Sequence, residues 1–372
     1  MLILAAILAI FVYGMIAAML GTILPSLSER FHLTPKQNGN IALAQAFGLI
    51  IASLSVGPLI DNQGKKVGLL LGLAVIAIAL YALPKSNGYG TIVAFLLLLG
   101  LGGGIIVTGA NALVSDISED RRASVLNFLN LFFGLGGLAT PFISANFLKR
   151  DAVKLCYLTA VLTTATLVVH AVAPIPPPKG ERGFNFADVG QVTGNPALWL
   201  LALLLFLYVA CEVGVWNWLA RHLIAQGMAE TRALNTLSLG FALGLLLGRV
   251  GVSPILITVP AVRVTLAASI LMVITTYLAL QTKQPTITWV AVFCAGVAMA
   301  PVFPTTLAMV GDRFPKMTAT ALGIVITSGW IGLAVSSPII GRIAGDDPKR
   351  IRKALLVLPV FSVAMILVHL AL

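Results

Sequence analysis

Pro174-Ile175-Pro176-Pro177-Pro178, followed beyond Lys179–Gly194 by Asn195-Pro196, is the stretch on which the fold turns. Consecutive prolines remove backbone donors and block helical geometry, so a helix must stop there. Asn195 is a capping residue and Pro196 suits a first helical turn, so another helix starts at once. No other polar interruption in the 372 residues is as long. The chain is thereby divided into 1–175 and 196–372, with 176–195 as a cytoplasmic linker.

Working outward, the charges delimit apolar runs on each side. Before the prolines these are 1–28, 37–60, 67–84, 86–115, 123–148 and 155–178. After them come 189–211, 233–248, 264–282, 284–311, 317–341 and 354–372. A bilayer-spanning helix needs roughly 17–25 apolar residues. The seventh run continues through Glu212 to Leu219, and 233–248 is long enough if Arg249 snorkels to the interface. Barrel-type alternation is absent, and in lipid only closed helices then satisfy the backbone. The expectation is an all-α integral membrane protein: twelve transmembrane helices in two pseudo-symmetric six-helix bundles.

Composition points the same way. Hydrophobic residues make up 59% and charged residues 10%, against about 25% charged in a soluble domain. The excess of 24 Lys+Arg over 13 Asp+Glu fits loops facing the headgroups of the lipid bilayer, with no nucleic-acid groove. Cys156, Cys211 and Cys294 lie in apolar runs without CxxC or Cys/His spacing, which argues against disulfides and a metal site. No cofactor is expected. No catalytic constellation is present either, so the chain is not read as an enzyme.

The halves look like copies. Offset by 195, Phe11 and Tyr13 fall on Phe206 and Tyr208; offset by 196, Asp116, Ala123, Leu126 and Gly136 fall on Asp312, Ala319, Leu322 and Gly332. Repeated six-helix units are a standard transporter plan.

Between the second and third runs stands Gly57-Pro-Leu-Ile-Asp61-Asn-Gln-Gly64-Lys65-Lys66. Its glycines permit a tight turn, and the Asp61 carboxylate can sit at another helix's positive N-terminus and latch the halves on one side. Asp61, Gly64, Lys65 and Lys66 are therefore gating candidates. The stretch resembles the signature loop of the major facilitator superfamily, G-x-x-x-D-x-x-G-[RK]-[RK], with Asn62 where a basic residue is usual. A second copy is expected near Gly248-Arg249, without an aspartate. Further stretches are similar to the fucose/glucose permease branch, a group of sugar–cation symporters: Thr108-Gly-Ala-Asn111, Asn127-Phe-Leu-Asn130, Glu212-Val-Gly-Val-Trp216-Asn217 and Ala300-Pro301-Val-Phe-Pro304. The resemblance implies the twelve-helix fold and transport of a sugar. In the fucose permeases the first-half acids for proton coupling lie in helices one and four. The corresponding positions are Gly21 and Val107 here, so that route is absent.

Glu212 is the one acid inside an apolar run. An ionised carboxylate at that depth costs several kcal/mol, and such residues usually face a cavity. Trp216 shares its helical face and Asn217 lies one step round. Sugars stack their C–H faces on aromatics and bond hydroxyls to amides and carboxylates, so Glu212, Trp216 and Asn217 form a substrate-binding set. Gln45, Asn111, Asn127 and Asn130 add the first half's buried amides, and together these are expected to line one cavity between the halves. Glu212 is also the candidate coupling residue, for a proton or sodium.

Two functions fit. One is a secondary active or facilitative transporter of a small neutral polar solute, a monosaccharide, working by alternating access. The other is an exporter of lipophilic or cationic compounds. The absence of Lys and Arg from the apolar runs argues against anionic solutes. The expected location is the cell inner (plasma) membrane, multi-pass, with both termini cytoplasmic. That orientation follows the Asp61 loop, although the loops on its side hold 10 Lys+Arg and the opposite ones 14, against the positive-inside tendency.

Overall fold

A computed structural model of the chain describes residues 2–149, 151–177, 186–344 and 350–372. Part of the expected linker, 178–185, and part of the 342–353 loop, 345–349, lie outside the described residues. Among the described residues, twelve helices are long and apolar enough to cross a membrane. They are α1 (Leu2–Phe31), α2 (Gln37–Gln63), α3 (Lys65–Lys85), α4 (Tyr89–Ile117), α5 (Glu119–Ser144), α6 (Ala152–Val172), α7 (Pro196–Ala225), α8 (Thr236–Thr258), α9 (Ala261–Gln281), α10 (Pro285–Arg313), α11 (Thr318–Ala344) and α12 (Ile351–Ala371). A short helix, Phe186–Thr193, precedes α7.

The starts of these helices follow from local chemistry. Thr34 and Gln37 form a capping box ahead of α2, with the Thr34 N–H donating to Gln37 Oε1 at 2.9 Å. Asp151 caps α6 by accepting from the Lys154 N–H at 3.0 Å, and that bond holds its exposed carboxyl below the usual carboxylate range. Asn195 caps α7 through Ala197 N at 3.0 Å, with Pro196 in the first turn. Gly64 ends α2 at φ +97°, a conformation that favours glycine, and α3 begins at the next residue.

The internal repeat extends to the packing. A Cβ on Gly136 of α5 would collide with the Phe11 carbonyl of α1, and one on Gly332 of α11 with the Phe206 carbonyl of α7. Gly48 and Gly100 bring the backbones of α2 and α4 together, as Gly244 and Gly296 do for α8 and α10. These pairs are 196 residues apart, the offset read in the sequence. Glycine serves here because small residues allow the close helix approach that drives association in lipid.

Three sequence expectations need correction. The eighth span does not stop at 248 with Arg249 reaching for the interface. It runs to Thr258, and Arg249 stands near its middle, 8% exposed. The statement that no basic residue lies within a span therefore fails. The second copy of the Asp61 loop moves with it: the turn between α8 and α9 falls at Val259-Pro260. Offset 196 then places Gly57-Pro58 on Ser253-Pro254 and Asp61 on Ile257.

Two compact units are distinguished. One comprises Met1–Glu119, Leu129–Val192 and Phe314–Thr327; the other comprises Asp120–Phe128, Thr193–Arg313 and Ser328–Leu372. The first turns of α11 thus belong with the first unit and the beginning of α5 with the second.

Candidate functional site

Within the first unit, Asp61 meets the N-terminus of α11. Its Oδ1 accepts from the Ala319 N–H at 3.1 Å, and its Oδ2 accepts from the Thr320 N–H at 2.8 Å and the Thr320 hydroxyl at 2.7 Å. The carboxylate satisfies donors that a helix leaves unpaired at its start, and the helix dipole adds to the attraction. Gly57, one turn earlier, lies so close to α11 that a Cβ there would stand 2.5 Å from the Thr320 Cα. The contact expected from the sequence has a geometry: an acid from the first half bonded to the N-terminus of a helix from the second.

The two lysines of the loop have different partners. Lys65 is 4% exposed and pairs with Asp116 of α4 at 2.6 Å. Lys66 Nζ donates to the Ala173 carbonyl at 3.2 Å, just past the end of α6, where a helix welcomes a cation. In the second unit, Asp312 of α10 is paired with Arg122 at the start of α5. Asp312 is the repeat-equivalent of Asp116, but the position equivalent to Lys65 is Ala261, so its cation comes from the other sequence half.

Asp61→Asn is expected to lower the exchange rate while leaving equilibrium substrate affinity within a few-fold. The carboxylate bonds to a helix end and not to the amide or Trp/Glu clusters. Counterflow rates and equilibrium binding on the same preparation check this, and complete loss of binding in a folded variant would contradict it.

The candidate binding residues form local clusters. In the first unit, Asn111 of α4 is fully buried, donates to the Val107 carbonyl at 2.7 Å and accepts from Asn130 Nδ2 of α5 at 3.0 Å. Gln45 of α2 donates to the Ile16 carbonyl at 3.4 Å. Tyr13 lies against Phe133, ring centroids 5.1 Å apart. In the second unit, Asn127 donates to the Ala123 carbonyl at 2.9 Å and to the Thr305 hydroxyl of α10 at 2.8 Å, so both its amide hydrogens are committed to packing.

Along α7, Glu212 is half-buried, Trp216 is 38% exposed and Asn217 is exposed. Trp216 meets Phe241 of α8 edge-on, ring centroids 5.2 Å apart at 78°. Phe241 is wholly buried within a π-helical turn, Thr236–Ala242, a distortion often found at functional sites. One turn before Glu212 on the same helix lies Tyr208, fully buried.

Tyr208, Phe241 and Arg249 were not singled out as site residues from the sequence. Arg249 did carry a signal, because the residues after it stay uncharged up to Val262. One charge in the middle of a long apolar run reads as a buried group. Phe241 had none, being one apolar residue among many.

Comparison with known proteins agrees with the twelve-helix fold. The chain is 22% identical over 385 residues to "Bypass of stop codon protein 6" of Saccharomyces cerevisiae, covering 92% of this chain and 76% of that protein. It is 22% identical over 352 residues to the "Glucose/mannose transporter GlcP" of Bacillus subtilis, covering 91% and 86%. The fold is similar to that of the E. coli fucose:proton symporter FucP, with a TM-score of 0.85, 16% identity and coverage of 99% and 98%. The profile of the Major Facilitator Superfamily matches residues 6–337. With twelve membrane-length helices and a family match over most of its length, the chain belongs to the Major Facilitator Superfamily.

Proposed function

We propose that this protein carries a monosaccharide across the cell inner (plasma) membrane by alternating access, with both termini cytoplasmic. The observation that carries the reading is the α7 face, where a partly exposed Trp216 stands one turn from Glu212 and beside Asn217. That combination suits a sugar's apolar face and its hydroxyls. Similarity to the glucose/mannose transporter and to the fucose symporter supports it. The buried Asn111–Asn130 pair adds an amide set of the kind that polyols bond. The bonds of Asp61 to α11 supply a latch that must open and close in each cycle.

The alternative, export of lipophilic cations, calls for an acid without a compensating charge. Arg249, 8% exposed near the middle of α8, brings a positive charge into the interior of the same unit, which favours a neutral solute. Proton or sodium coupling through Glu212 is the remaining choice within the sugar reading.

Counterflow in proteoliposomes with a panel of hexoses, at two pH values, tests the proposal. Exchange of at least one hexose supports it, and exchange of lipophilic cations alone overturns it. Asn111→Ala and Asn130→Ala are each expected to weaken sugar binding by about 1–3 kcal/mol, the cost of leaving a buried partner unsatisfied. Tryptophan quenching titrations measure that loss. For orientation, a single cysteine placed at exposed Lys85 should be labelled from outside intact cells, and one at Lys316 only after permeabilisation.

A further inference from the structure

A cavity of about 210 Å³ opens where α1 and α3 end and α6 begins, wholly within the first unit. Its walls are apolar: Ile23 and Leu27 of α1, Leu83 of α3 and Cys156 of α6 line it, and all four are buried. Two opposite charges line it as well, Arg30 from the last turn of α1 and Asp151 from the cap of α6. Among the described residues no ion pair joins them. Arg30 Nη1 donates to the Pro84 carbonyl at 3.2 Å, and the guanidinium lies over the Phe31 ring, 5.0 Å from its centroid. That bond takes one of five N–H donors. The Asp151 carboxylate stands 3.4 Å from Lys154 Nζ, on a side chain 68% exposed. So exposed a pair holds little energy and yields to a competing ammonium.

We propose that this cavity binds a phospholipid with a primary ammonium headgroup, phosphatidylethanolamine, placing its phosphate on Arg30 and its ammonium on Asp151. Position and charge support this. The 30 residues of α1 make a helix about 45 Å long at roughly 1.5 Å per residue. That exceeds a hydrocarbon core of about 30 Å, so the last turn of α1 reaches headgroup depth. Apolar walls with one charge of each sign match an amphiphile that is itself zwitterionic. A guanidinium donates paired bonds to a phosphate. A primary ammonium brings three N–H donors to a carboxylate, whereas the trimethylated headgroup of phosphatidylcholine brings none. Phosphatidylglycerol would satisfy Arg30 but offer Asp151 no cation.

Native mass spectrometry of the full chain in detergent tests the site. The probes are phosphatidylethanolamine, phosphatidylcholine, phosphatidylglycerol and the lipid-free headgroup O-phosphoethanolamine. The parent should retain phosphatidylethanolamine about 5-fold more tightly than the other two lipids, the scale of one partly screened ion pair. Arg30→Gln should weaken all three lipids alike, because each carries the phosphate. Asp151→Asn keeps an acceptor for the α6 cap and should erase only the preference for phosphatidylethanolamine. Ala152→Phe fills the cavity from its lining and leaves both charges in place. It should lower retention of every phospholipid, and it keeps the test open if a charge variant folds poorly. Those three responses support the site. A parent that retains no phospholipid, or all three equally, overturns it, as do folded variants that behave like the parent. Capture of O-phosphoethanolamine as tightly as the intact lipid overturns the membrane source and assigns the two charges to a soluble compound.

Discussion

Lys65→Met is expected to destabilise the folded protein by about 3–5 kcal/mol, the usual cost of removing one partner of a buried ion pair. Lys65 and Asp116 have side chains only 5% exposed and lie 2.6 Å apart. Loss of the ammonium takes this ion pair from a carboxylate at the end of α4 whose side chain is only 5% exposed. The double variant Lys65→Met/Asp116→Leu should recover most of the loss, since replacing both charges by apolar groups is often near neutral. Thermal unfolding in detergent measures both. If the single and double variants melt at the same temperature, the pair is not what holds α3 to α4. Lys66→Met is expected to cost far less, because its bond to the Ala173 carbonyl leaves no buried charge behind when lost.

Glu212→Gln is expected to weaken hexose binding about 10- to 100-fold, or roughly 1.5–3 kcal/mol, the contribution of a hydrogen bond to a charged group. Saturated exchange should change little, because the bonds of Asp61 to α11 are untouched. The same variant separates the two roles open to this residue. If Glu212 carries a coupling proton, the amide mimics the protonated acid, and pH-driven accumulation is lost while counterflow persists. If it serves only as a hydroxyl acceptor, affinity falls and the pH response stays as in the parent. Unchanged affinity together with an unchanged pH response in a folded variant would sink both roles.

Much of this architecture is legible in one dimension because a bilayer is a severe solvent. Charge is expelled from the spans, so the gaps between charged residues mark helix after helix. Prolines 174, 176, 177 and 178 break the series at its midpoint. The Asp61 loop was equally legible, because Gly64 must supply a left-handed turn and a carboxylate beside it suits a helix N-terminus. The duplication showed too, through positions such as Gly136 and Gly332 where only a small residue allows two backbones to meet.

Charge counting failed where a charge stays inside. Arg249 looked like a helix end, since the sequence does not say what a guanidinium will face. Only the folded structure shows it as an interior group, 8% exposed near the middle of α8. Partner choice was hidden for the same reason. Lys65 and Lys66 are adjacent and chemically alike, yet helix geometry sends one inward to Asp116 and the other to the end of α6. Asp312 pairs with Arg122, 190 residues away, because its own repeat offers Ala261 where a lysine would stand. Local composition determined where this chain crosses the membrane and where it turns. Which buried polar groups meet was decided by the tertiary structure, because pairing depends on the rotation and register of helices distant in sequence.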